Sequence, residues 1–159
     1  MLPDIGEDPP TILDIEDAPP ITREAIMQLV VLGVYPLTSE MLALPNVLLD
    51  AATAAFMIVN AFAPRAAAQY PVPAEAAFGV LTVLTGTDLQ PADLVDVGTF
   101  RGLIITVVEV EAGLGAEVAA SLDEQYPALI AGNPGAPLTR AGAALMTAIG
   151  LDALSRQAD

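Results

Sequence analysis

Glu109 and Glu111 stand two residues apart in a β-branched stretch, and on a strand they would share one face. A pair of carboxylates can run glycoside hydrolysis, one as acid and the other as base or nucleophile. The same spacing describes the solvent side of an amphipathic strand. No aromatic platform accompanies the pair, so the solvent-side reading is the simpler one. Asp50 is the other carboxylate of interest, because it lies in an otherwise apolar run. It reads as a helix-start residue before it reads as a buried functional acid. Ser39, Ser121 and Ser155 lie in no Gly-x-Ser-x-Gly elbow, and the glycines form no Gly-x-Gly-x-x-Gly. The acidic N-terminal segment lacks the central glycine and ligand spacing of a calcium loop. No catalytic residue, metal ligand or cofactor is assigned.

The missing residue types exclude more. The 159 residues include no His and no Cys, and all five basic residues are arginines, Arg23, Arg65, Arg101, Arg140 and Arg156. Without Cys there is no thiolate nucleophile and no disulfide. Without His the commonest metal ligand and general base is gone, and without Lys there is no P-loop and no Schiff base. These absences point away from enzymes. The formal net charge of −15 disfavours clamped nucleic acid and anionic membrane surfaces alike, since both need clustered cations. Hydrophobic residues reach 54 % while charged ones are only 16 %. That balance suggests either a large Ala-rich core or apolar surface covered by other subunits.

The elements that must position these residues are read as follows. Met1 to Pro20 carries Pro3, Pro9, Pro10, Pro19 and Pro20 together with Asp4, Glu7, Asp8, Asp14, Glu16 and Asp17. Proline at this density forbids a helix and favours extended chain. The segment reads either as a disordered acidic tail or as an arm that docks Ile12, Leu13 and Ile15 on a neighbour. It lacks the basic and apolar regions of a signal peptide. A first helix is expected over Thr22 to Gly33, with Thr22 as its cap. Asn46 to Phe62 is the strongest helix, with Asp50, Thr53 and Asn60 on one narrow polar stripe. Its apolar circumference suits a core or a subunit junction, and Leu49, Phe56 and Val59 are the candidate subunit-packing residues. At about 25 Å it is too short to span a bilayer. Pro73 opens another helix that Gly86 ends.

Gly98 to Glu111 is rich in β-branched residues, and its alternation favours a strand over a continuous helix. Gly113 to Leu122 reads as a helix, with Ser121 to Glu124 as a capping box for a further turn. A Gly/Pro-rich loop over 132–137 precedes a last helix, Arg140 to Leu154, capped by Thr139. No internal repeat of 20–50 residues stands out.

Asn46 to Phe56 (NVLLDAATAAF), followed by a loop and Val72 to Leu81 (VPAEAAFGVL), resembles the helical core of tailed-phage head–tail connector (adaptor) proteins. Pro137 to Leu145 (PLTRAGAAL) is similar to a stretch near some connector C-termini. The Pro-rich arm and the strand-like 98–111 depart from that helical pattern. Val97 to Arg101 (VGTFR) faintly resembles a stretch of capsid-decoration proteins, which also carry extended arms. The connector resemblance implies an oligomeric ring beneath a portal, virion proteins such as portal or capsid as partners, and a virion location. If the protein is not viral, it is expected in the cytoplasm.

The expectation is thus a mainly α fold: a helical bundle with a short β element and an extended N-terminal arm. Residues 1–20 form the arm and 21–159 a single domain. The expected role is a non-enzymatic assembly protein and homo-oligomer, a connector first and a capsid decoration protein second. A carboxylate-based hydrolase comes last. Neither specific nucleic-acid binding nor membrane insertion is expected.

Overall fold

The computed structural model describes residues 12–38, 40–63, 72–125 and 135–158. Its helices are α1 (Pro20–Val31), α2 (Ala51–Phe62), α3 (Ala74–Thr85), α4 (Val97–Ala112), α5 (Gly115–Gln125) and α6 (Arg140–Ala158). The mainly helical expectation holds. The β element does not: the described residues contain no strand, only three isolated bridges, Leu48 with Thr139, Asp50 with Leu94 and Asp96 with Pro137.

Residues 98–111 belong to α4, which corrects the strand reading. Two end signals and one periodicity outweigh the β-branched composition. The Asp96 carboxylate accepts the Thr99 N–H at 2.7 Å, and Gly113 closes the helix in the left-handed region at φ 69. Val97, Phe100, Ile104, Val107 and Val108 are buried at helical spacing. β-branched residues lower helix propensity by only tenths of a kcal/mol each, roughly, and burying that face outweighs them.

Other boundaries also move. α1 begins at Pro20, two residues before the expected cap, because proline's fixed φ suits a first helical position. Gly33, at φ 76, ends it as expected. α2 begins at Ala51 with Asp50 as its N-cap, accepting the Thr53 N–H at 2.8 Å. Ser121 to Glu124 continue α5 instead of capping a new turn. Residues 132–134 of the 132–137 loop lie outside the described residues.

The arm does not stand away from the body where it is described. Ile15 is buried at 4 % exposure, Ile12 packs against the core, and Leu13 is 64 % exposed. Residues 1–11 lie outside the described residues.

α2 is the centre of the core. It packs against α3, α4 and α6, while α1 lies on α6 and α5 bridges α4 and α6. Met57, Ile58 and Val59 on α2 meet no solvent, nor do Phe100, Ile104, Leu122 and Met146 on the helices around it.

The chain also holds a repeat that sequence comparison along the chain misses. The residues just before α2, α4 and α6 form a closed ring of hydrogen bonds. The first N–H of α2, from Ala51, donates to Asp93 C=O, just before α4. The first N–H of α4, from Val97, donates to Ala136 C=O, just before α6, and that of α6, from Arg140, donates to Val47 C=O, just before α2. Each helix then caps its third N–H with a side chain, Asp50, Asp96 or Thr139. The residue before each cap, Leu49, Val95 or Leu138, is buried at the junction. Three helix N-termini therefore satisfy one another cyclically, so donors normally left to solvent are paired. The outer helices follow the same scheme: α3 lies on α2, α5 on α4, and α1 on α6. The shared signature is only a few positions long (LLDAAT, LVDVGT, PLTRAG), too short to register as a repeat.

Candidate functional site

α3 carries apolar surface without a cover. Pro73 sets its start, Glu75 sits in its first turn, and Gly86 ends it at φ 67. Only Ala77 and Leu81 of its 12 residues are buried. Phe78, Val80 and Leu84 are partly covered by the core. The outer face, formed by Ala76, Gly79 and Val83, meets solvent, and Val83 is 84 % exposed. Beside that valine lies a shallow depression of about 440 Å³, lined by Ala76, Gly79, Val80, Val83 and Leu84. A Cβ placed on Gly79 would touch nothing within 4 Å, so the glycine is not needed for packing inside the chain. The polar atoms of this helix turn inward on themselves: the Thr82 hydroxyl donates to Phe78 C=O at 3.0 Å and that of Thr85 to Leu81 C=O at 2.8 Å.

A second concave surface lies between α1 and α6. It has a volume of about 470 Å³, a floor that includes Ala25, Leu145 and Ile149, and the carboxylates of Glu24 and Asp152 at its rim. Asp152 pairs with Arg156 at 3.4 Å across one helical turn, with both side chains more than half exposed. Such a pair adds little stability.

The expected subunit-packing residues are divided by the fold. Leu49 and Val59 are fully buried in the chain's own core, and Phe56 is half-buried. The apolar circumference of α2 is therefore largely consumed within the chain, whereas α3 keeps Val83 in solvent. The sequence marked this helix by its ends, Pro73 and Gly86, and not by its outer stripe. Small residues such as Ala76 and Gly79 carry a weak hydropathy signal.

The candidate chemical groups are occupied structurally. Glu109 and Glu111 are both exposed on α4, about 200° apart around the helix axis, so they do not share a face. Glu109 accepts the Gly115 N–H at 2.9 Å, joining α4 to α5. Asn60 is buried instead of lining a polar stripe. Its amide donates to Phe56 C=O and Val72 C=O at 2.9 and 3.0 Å and accepts the Val72 N–H at 2.6 Å. Among the described arginines, Arg101 makes a two-pronged pair with Asp123 at 3.2 and 3.1 Å. Arg140 lies over the Tyr35 ring, 5.2 Å from its centroid, and donates to the Pro36 carbonyl. The Tyr35 hydroxyl donates to Ala43 C=O at 2.6 Å. Burial pushes the Tyr35 phenol above its ordinary value, against the opposing pull of Arg140.

Among the described residues no group of three or more His, Cys, Asp or Glu is arranged to hold a metal ion. No described helix is long and apolar enough to cross a membrane. No family model, curated protein or solved structure matches this chain.

Proposed function

We propose that this protein is a non-enzymatic assembly subunit of a virion, a head–tail connector that packs with copies of itself into a ring. The observation that carries the reading is the outer face of α3, where Ala76, Gly79 and Val83 lie exposed and Glu75 is the helix's sole charge. A chain of net charge −15 has ample carboxylates to solvate a helix, yet beyond Glu75, one turn before Gly79, this face carries none. Copies of equal charge repel at long range and approach best through a face with little charge. The succession of α2 and the Pro-started α3 also agrees with the connector resemblance. An acidic ring would repel a DNA strand passing through it and keep that strand mobile.

Light scattering and native mass spectrometry of the full chain test this. The expected result is a high-order oligomer that Val83→Glu weakens by tenfold or more, because the substitution buries an unpaired charge at the contact. A trimer would favour capsid decoration. A monodisperse monomer would overturn both.

A further inference from the structure

α1, α6 and the end of α5 leave a groove with an apolar floor between them. Leu145, Ile149 and Asp152 of α6 line it at i, i+4 and i+7, and Ile21 and Ala25 of α1 line it one turn apart. Leu145 and Ile149 are only half-buried, and Ile21 is 70 % exposed. From Leu145 to Asp152 the floor runs about 10 Å, two turns of helix. Two helices that leave such a strip between them can receive the apolar stripe of a third, whose side chains recur at the same spacing.

The polar residues set the charge of the occupant. Glu24 on α1 and Asp152 on α6 each bring a carboxylate, and among the described residues no arginine lines the groove. Asp152 pairs with Arg156 one turn on, but both side chains are more than half exposed, so another cation can share the carboxylate at little cost. The net charge of −15 draws cations toward the surface and repels an acidic segment. A helix with Lys or Arg beside its apolar stripe therefore matches the groove. This chain cannot supply one. It has no Lys, and its nearest pair of arginines, Arg140 and Arg156, stand more than four turns apart along α6. We infer that the α1–α6 groove is a docking site for a basic amphipathic helix of another protein. The apolar stripe of that helix lies on Ile21, Leu145 and Ile149, and its cations meet Glu24 and Asp152. The site does not rest on the ring, since a single copy presents the whole groove.

The probe is a fluorescent peptide of about 15 residues with Leu at i, i+4 and i+7 and Lys beside them, and its control carries Glu in place of Lys. Fluorescence anisotropy with the full chain, in about 0.15 M salt, is the readout. The Lys peptide is expected to bind and the Glu peptide not to. Glu24→Gln with Asp152→Asn should weaken binding about tenfold. Ile21→Ser, at an exposed position, should weaken it about threefold or more. Asp88→Asn with Glu111→Gln removes the same charge from exposed carboxylates outside the groove, and should change affinity by less than about twofold. Equal losses from the two pairs would mean that net charge alone attracts the peptide, and would overturn the docking site. So would loss of binding on Val83→Glu, which would place the peptide on α3. Oligomers that Ile21→Ser takes apart, with no Lys peptide bound by the unaltered chain, would assign the groove to a second copy. That outcome overturns this site and leaves assembly standing.

Discussion

Asn60 shows how one polar side chain ties α2 to the entrance of α3. Its amide mimics a backbone unit, giving and taking hydrogen bonds with Val72 at the entrance to α3. Removing it leaves the Val72 N–H and C=O buried and unsatisfied, each worth about 1–3 kcal/mol. Asn60→Ala is therefore expected to lower unfolding stability by about 2–4 kcal/mol, measured by urea denaturation. A loss under about 0.5 kcal/mol would mean that water takes over both bonds. Asn60 was legible as a polar residue on an apolar helix but not as a buried one. Its partner, Val72, is twelve residues on and offers backbone groups, which have no sequence signature. Asp50 and Thr139 were legible as helix-start residues because capping acts over three residues of local chain.

At the scale of elements, the hydrogen-bonded ring before α2, α4 and α6 makes each helix start depend on another. Capping residues typically contribute about 1 kcal/mol, and here they also orient donors that reach across the ring. Asp96→Ala should lower stability by about 1–2 kcal/mol, while Asp96→Asn, which keeps an acceptor oxygen, should lose markedly less. Urea midpoints compare the two, and equal losses would show that charge, not capping, is what Asp96 supplies. α4 marks the limit of local reading. Its alternating Val and Glu residues at 108–111 pair one period of a strand with part of a helix, and only four residues decide between them. The buried series Val97, Phe100, Ile104, Val107 and Val108 shows the helical period over a longer window. α2, by contrast, was legible as a helix because nearly every residue was apolar, although it starts at Ala51 and not at Asn46 as expected.

For the molecule as a whole, charge and hydrophobicity are segregated. The net charge is −15, the centre is apolar, and α3 turns outward a face whose one charge is Glu75 in its first turn. Repulsion between copies is screened by salt, with a Debye length of about 30 Å at 0.01 M and about 8 Å at 0.15 M. Association through the α3 face should therefore strengthen as salt rises across that range, the opposite of an interface built on ion pairs. Sedimentation velocity at both salt levels measures it. Weaker association at higher salt would point to a contact made by the few arginines instead.

The sequence by itself determined the helical class, the polar ends of most helices and the chemistries the chain lacks. Caps, prolines, left-handed glycines and missing residue types all act or fail to act locally. Only the tertiary structure decided which apolar surface is left uncovered. α2 read as either a core helix or a subunit contact, and α3, α4 and α6 surround it and bury Leu49 and Val59. α3 looked like an ordinary amphipathic helix and keeps Val83 in solvent. Tertiary structure likewise decided that Ile12 and Ile15 meet their own chain and that Asp14 grips residues thirty positions away. Hydropathy records how much surface a residue would hide, but not which neighbour arrives to hide it. That depends on packing between segments distant in the chain.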